Sequence, residues 1–165
     1  MTDTMTETAD IEFIRDYPVA LTRLWRAVTE PVQLIQWFGP EGVYLDDCDL
    51  SLKTEGPWFC EMVGKESGNR MRVSGHVTHV RPPEDGKGSV GFTWAWHEPD
   101  GTRGAESHVT FTVEETASGA RLTLSHVQLS DTEAAQSHSR GWTSTLRKLD
   151  TLLDTGLRPY ERPDA

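Results

Sequence analysis

Residues 23–40 read RLWRAVTEPVQLIQWFGP, a stretch whose pattern predicts two short helices in succession. Pro31 ends the first helix, because the residue before a proline is pushed out of the α region, and it can open the second. The second helix is apolar on more than one side and stops at Gly39-Pro40. Apolar residues of the first helix recur at spacings of three and four, which places them on one face: Leu21, Leu24, Trp25 and Val28. Two helices this short need a larger surface to pack against.

Strands surround this helical pair. A first strand is predicted over residues 11–16, before the pair, and the remaining ones follow it in alternating runs bounded by Gly, Pro, Asn or Asp. Six successive strands with short connections predict an antiparallel meander. In the clearest run, Val109, Phe111 and Val113 alternate with threonines, so one face of the sheet is buried and the other is wet. The six runs lie near residues 43–52, 57–64, 70–80, 89–97, 105–115 and 119–128.

One long helix is predicted at the end of the chain. Ser130-x-x-Glu133 reads as a capping box and Gly156 as a C-terminal stop, which leaves about 24 helical residues, or ~36 Å. Gly141 inside the helix costs about 1 kcal/mol relative to Ala, which favours a close approach to another element on that side. One apolar stripe runs along the helix and would pack on the sheet: Ala135, His138, Trp142, Leu146, Leu149 and Leu153.

Composition limits the classes of partner. The chain has 165 residues, with 26 acidic against 16 basic side chains and a formal net charge of −10, so it repels nucleic acid. No run approaches the ~20 apolar residues of a membrane helix, and residues 1–10 carry no apolar segment that could serve as a secretory signal. We therefore expect a cytoplasmic protein without membrane insertion. In that reducing compartment, Cys48 and Cys60 are expected to be free thiols.

Three sequence elements occur together here. They are the helical pair from Pro18 to Pro40, a Gly75-x-Val77…Pro82-Pro83 segment before an aromatic strand, and a helix with Gly141-Trp142…Leu146…Leu149. Together they resemble the family named for the activator of heat shock protein 90 ATPase, in the START-like (SRPBCC) superfamily. The resemblance implies an α+β helix-grip fold, in which a curved antiparallel sheet of about seven strands wraps the long C-terminal helix and leaves an apolar cavity.

Under this reading the helical pair closes one end of the grip. A single START-like domain then covers residues 11–156, between a flexible tail over 1–10 and a second tail over 157–165. Strand parity places Trp94 and Trp96 on one face, although a one-residue bulge would turn them outward. Apolar side chains expected to contact a ligand are Trp37, Phe38, Met62, Met71, Trp94, Trp96, Phe111, Leu124, Trp142 and Leu146. The alternative for each is a place in the ordinary core.

Two histidines are candidates for polar or catalytic roles. His126 shares parity with Leu122 and Leu124 on the buried sheet face, and His138 lies on the helix stripe. Two imidazoles in one apolar cavity could contact a ligand or act as acid and base. No metal site is predicted, because His76 and His79 of one strand would point to opposite faces unless a bulge intervened. No phosphate-binding glycine loop or nucleophile elbow occurs, so no cofactor is expected.

The function expected first is binding of a small hydrophobic molecule of lipid, steroid or polyketide type in the cavity. The alternative is a cyclase or aromatase that uses the cavity histidines, since the superfamily includes such enzymes. A third role, in stress or chaperone activation, follows from the family name. The name-giving members join this domain to a separate chaperone-binding domain, which is absent from this sequence. The sequence is also compatible with a homodimer.

Overall fold

The computed structural model of the chain describes residues 9–155. The first strand begins at Ala9, slightly before the predicted start of the domain, and the predicted helix stop at Gly156 lies outside the described residues. Strand and helix order agrees with the sequence prediction. The elements are β1 (Ala9–Tyr17), α1 (Leu21–Thr29), α2 (Pro31–Trp37), β2 (Val43–Asp49), β3 (Gly56–Gly64), β4 (Arg70–Glu84), β5 (Lys87–Trp96), β6 (Ser107–Thr116), β7 (Gly119–Leu129) and α3 (Thr132–Thr155).

The strands form one antiparallel sheet of seven in the order β1-β7-β6-β5-β4-β3-β2. Consecutive strands from β2 to β7 pair as neighbours, as expected for a meander, and β1 returns to pair with β7. The curled sheet holds α3 against its inner face, which confirms the predicted α+β helix-grip fold. Strands β1 and β2 are the two edges, so the grip stays open between them, and α1 and α2 follow directly from β1.

Helix α3 packs through the predicted stripe. Trp142, Leu146 and Leu149 are buried in the main core, and Leu152 extends the stripe beyond the predicted set. The predicted capping box at Ser130 is wrong by one position, because the carboxylate of Asp131 accepts the hydrogen bond from the Ala134 N–H at 2.8 Å. Asp131 therefore caps the helix. Among residues 9–155, no helix is long and apolar enough to cross a membrane.

Two expectations about small residues are wrong. A Cβ atom at Gly141 would meet no atom within 4 Å, so this glycine borders open space rather than a closely packed element. Cys48 and Cys60 are not free thiols but form a disulfide between β2 and β3. The register places the two cysteines directly opposite each other, with Cα atoms 4.1 Å apart, and antiparallel pairing turns both side chains to the same face.

Candidate functional site

A cavity of about 290 Å³ lies between the sheet and the first half of α3. The end of α2 reaches it through Phe38 and the following Gly39 and Pro40. Gly141 and Thr145 form part of its helical wall. We call it the aromatic cavity, because its larger walls are rings and thioethers: Phe38, Met62, Met71, Trp94, Trp96 and Trp142.

The structure divides the predicted ligand contacts into two groups. One group lines the aromatic cavity, and it comprises Phe38, Met62, Met71, Trp94, Trp96, His138 and Trp142. The other group lies away from it, fully buried in the core, and comprises Trp37, Phe111, Leu124, His126 and Leu146. Trp37 illustrates the second group, since its indole N–H donates to the Ala27 carbonyl at 2.8 Å and ties α2 to α1.

Sequence reasoning missed the small residues of the cavity wall. Ser137, Gly141 and Thr145 recur every four residues on α3, beside the apolar stripe, and all three line the cavity. A row of small residues at this spacing leaves room between a helix and the surface it covers. That row was the signal in the sequence from which the helical wall of the cavity could have been predicted. Gly39 and Pro40 were read only as a helix stop.

His126 is held as a neutral imidazole in the core. The Trp142 indole N–H donates to His126 Nδ1 at 2.9 Å, and an indole nitrogen can only donate. The proton of the neutral ring is therefore on Nε2, which donates to the Ser107 hydroxyl at 2.7 Å. The Ser107 hydroxyl in turn donates a hydrogen bond to the Trp94 carbonyl at 3.4 Å. Burial, with smaller contributions from His138 and His108, lowers the pKa of His126 to about 3.

His138 is fixed in the opposite tautomer. The Trp96 indole N–H donates to His138 Nε2 at 3.1 Å, so the proton is on Nδ1, which donates to the Ala134 carbonyl at 2.9 Å. The rings of His138 and His126 lie 4.9 Å apart between centroids. Every ring nitrogen of the two histidines is thus occupied by a protein partner. In this arrangement neither ring has a free nitrogen with which to act as an acid or base.

A second cavity, of about 220 Å³, lies beyond Trp96 and His138. Trp94, Trp96 and His138 line both cavities. Gln128, at its wall, adopts a left-handed backbone with φ of 66°, and its N–H is bonded to the Asp10 carboxylate at 3.0 Å. We call this the polar cavity, because its own walls include Glu98, Ser107, Gln128 and Ser130.

The shared wall contains an unsatisfied donor. Trp94 is only 5% exposed, and its indole N–H has no hydrogen-bond partner among the described residues. Its neighbours Trp96 and Trp142 both donate to histidines. A buried donor without an acceptor costs roughly 1–3 kcal/mol. The fold therefore leaves this indole N–H buried without an acceptor, beside two indoles that each have one.

The outer face of the sheet carries the other histidines. A bulge between Val77 and His79 places His76 and His79 on that face together, so the expected divergence of the two does not occur. Burial lowers the pKa of His79 and of His108, whose rings both approach Gly91. No group of three or more possible metal ligands occurs among residues 9–155.

Comparison with known proteins finds a matching family and similar solved structures. The family model described as Activator of Hsp90 ATPase homolog 1-like protein matches residues 18–154. The crystal structure of the AHSA1 protein from Silicibacter pomeroyi is 49% identical, with a TM-score of 0.82 over 88% of this chain and 97% of that one. No curated protein matches.

More distant structures share the fold. A protein from Chromobacterium violaceum is 20% identical, with a TM-score of 0.75 over 88% of this chain and 97% of that one. A protein from Arthrobacter aurescens, solved by NMR, is 16% identical, with a TM-score of 0.72 over 98% and 96%. The fold is that of START-like ligand-binding domains. With its matched residues and its similarity to the Silicibacter pomeroyi protein, the chain belongs to the Activator of Hsp90 ATPase homolog 1-like family.

Proposed function

We propose that this protein binds a small, preferably aromatic, apolar molecule in the aromatic cavity. The observation that carries the proposal is a cavity of about 290 Å³ whose walls are rings and thioethers, at the place where α2 meets α3. Cavities with adaptable apolar walls and few polar groups are typical of small-molecule sites. Ser137 and Thr145 are the hydroxyl-bearing residues of this wall.

The volume restricts the size of the ligand. A dry cavity of ~150 Å³ holds one benzene molecule, so the aromatic cavity suits about two fused rings. A steroid or a full-length polyketide is too large for it. Burying ~300 Å² of apolar ligand surface contributes about 7 kcal/mol at ~25 cal/mol/Å², and association offsets much of that. A bare ring system should therefore bind with a dissociation constant no tighter than about micromolar.

Calorimetric titration with 1-methoxynaphthalene tests the site. Gly141→Leu places a branched side chain in the open space that Gly141 borders, and it should weaken binding at least about tenfold, which corresponds to ~1.4 kcal/mol. Gly141→Ala adds one carbon and should weaken binding less. Arg140→Leu introduces the same residue at the neighbouring exposed position of α3 and serves as the control. Equal affinity of wild type and Gly141→Leu would place the ligand elsewhere.

The enzyme alternative has less support than binding. A cyclase or aromatase needs an acid and a base at the substrate, whereas His126 lies outside the cavity wall and His138 has both ring nitrogens engaged. A chaperone-related role rests on the family description alone. Stimulation of chaperone ATP hydrolysis by the added protein would be its test.

Location and assembly stay proposals as well. The Cys48–Cys60 disulfide weighs against the cytoplasmic location expected from the sequence, because the cytosol keeps most thiols reduced. Val32 and Ile35 are more than half exposed on α2. Two exposed side chains are common on monomers and do not by themselves indicate a homodimer.

A further inference from the structure

The aromatic and polar cavities are neighbours that share lining residues. Trp94, Trp96 and His138 line both, and the Trp96–His138 pair closes the wall through one hydrogen bond of 3.1 Å. We call this pair the partition. A wall built from two side chains opens when they change rotamer, without any movement of the sheet or of α3.

The partition is less firmly held than a matching pair beside it. Trp142 and His126 form the same indole-to-imidazole hydrogen bond at 2.9 Å, with Trp142 4% exposed and His126 fully buried. Both members of the partition are half-buried and have open cavity beside them. Turning His138 away costs its bonds to Trp96 and Ala134, but it displaces no packed core residue.

We infer that the two cavities are halves of one ligand site divided by the partition, and that the ligand joins an aromatic body to a neutral or cationic polar tail. The body occupies the aromatic cavity and the tail occupies the polar cavity. This inference rests on the proposed function, because it extends the same site. The two volumes, about 290 and 220 Å³, together fall in the usual range of ligand sites, ~300–1,000 Å³.

The walls of the polar cavity decide the chemistry of the tail. The residues that line it include Glu98, Gln128 and Ser130, and none of the described lining residues is a lysine or an arginine. The chain carries a net charge of −10, which adds to the repulsion of an anion. An aromatic body with an amine or alcohol tail satisfies these conditions, whereas a carboxylate tail does not.

Three probes measured by calorimetry test the inference. They are 1-methoxynaphthalene, which has no tail, and two compounds with tails of equal length and opposite charge, 4-(1-naphthyloxy)butan-1-amine and 4-(1-naphthyloxy)butanoic acid. The amine should bind wild type at least about tenfold more tightly than the acid. In His138→Ala, the affinity of the amine relative to 1-methoxynaphthalene should rise by about tenfold over the wild-type ratio. Trp96→Phe keeps an aromatic side chain but replaces the indole by a smaller ring without an N–H, and should shift the ratio in the same direction.

A spectroscopic readout locates the tail. In two-dimensional NMR of wild type, the amine should move the indole N–H signal of Trp96 more than 1-methoxynaphthalene does. The indole signal of Trp142, whose histidine partner is in the core, is the matched control and should respond alike to both probes.

The outcomes separate this inference from the proposed function. If 1-methoxynaphthalene binds but the ratio is the same in wild type and His138→Ala, the cavities are independent, and the partition is overturned while the proposed function stands. If the amine and the acid bind equally, the assignment of the tail is wrong. If no probe binds wild type or either variant, the proposed function fails and the inference fails with it.

Discussion

At the scale of single residues, His126 and His138 show how an indole can decide the state of an imidazole. Trp142 and Trp96 each donate to a ring nitrogen, so each histidine is neutral with its proton on the other nitrogen. Protonation would put hydrogen on both nitrogens and remove both acceptors. The histidines that suggested acid–base chemistry in the sequence therefore act first as hydrogen-bond acceptors that orient the walls of the cavity.

His126 should make the protein less stable as the pH falls. Its pKa is about 3 in the folded chain against an ordinary value of 6.5, so the unfolded chain binds more protons between these values. The free energy of unfolding therefore rises with pH between about 3 and 6.5, and the contribution is complete above 6.5. Its slope is at most about 1.4 kcal/mol per pH unit. Urea unfolding at pH 4, 5, 6 and 7 measures the slope.

The control is His126→Gln, which cannot titrate and keeps a polar side chain in the same place. Its slope should be smaller than that of wild type over the same pH range, because the remaining acids and histidines are common to both proteins. Identical slopes would show that His126 is not buried as a neutral ring.

At the scale of the elements, the spacing of apolar residues and the positions of Pro and Gly were sufficient to predict most of the fold. Pro31 and the three-four spacing located α1 and α2, and the strand parity of Trp94 and Trp96 was right because no bulge interrupts the end of β5. The division of apolar residues between core and cavity wall could not be predicted. Phe111 and Trp94 both belong to the core on the inner face of the sheet, yet of the two only Trp94 lines the cavity.

The disulfide between neighbouring strands also could not be predicted from the sequence pattern. The pairing of Cys48 with Cys60 depends on a register that shifts between Leu45 and Cys48, and a one-residue slip would turn the two thiols apart. Likewise, the bulge before His79 reverses the face expected for that ring. Bulges leave little trace in a single sequence, because they add a residue without requiring a particular type.

Leu149→Ala tests the contact of α3 with the sheet. Leu149 has no exposed surface and belongs to the main core, so its truncation should lower the free energy of unfolding by about 2–5 kcal/mol. Arg140→Ala, on the exposed side of the same helix, should change it by less than about 0.5 kcal/mol. Urea titration followed by circular dichroism gives both values. A small change for Leu149→Ala would mean that the stripe does not face the sheet.

The disulfide should stabilise the edge of the sheet formed by β2. It joins residues 12 apart in sequence, and a loop of ~15 residues corresponds to about 3 kcal/mol in the chain-entropy account. A reducing agent should therefore lower the melting temperature of wild type and leave that of the Cys48→Ser, Cys60→Ser double variant unaffected. Two thiols that react with Ellman's reagent in the denatured, unreduced protein would contradict the bridge.

At the scale of the whole molecule, the open cavity and the stability of the fold are in competition. A sheet with free edges at β1 and β2 wraps one helix, and the short pair α1 and α2 covers only part of the remaining opening. The row of small residues on α3 then keeps space where larger side chains would fill the core. The protein with an empty cavity is thus expected to be less stable than its fold allows, and a ligand bound as proposed would recover part of the difference.

Melting curves with and without 1-methoxynaphthalene should show this competition. A ligand at ten times its dissociation constant adds about 1.4 kcal/mol to stability, and ~2–4 °C per kcal/mol predicts a rise of about 3–6 °C for wild type. Gly141→Leu replaces a glycine in mid-helix and fills open space, so it should melt higher than wild type without ligand. It should gain almost nothing when the ligand is added, since the side chain occupies the ligand's place. If the variant melts lower than wild type without ligand, the space beside Gly141 does not accommodate a leucine. If it gains as much from the ligand as wild type does, that space is not the binding site.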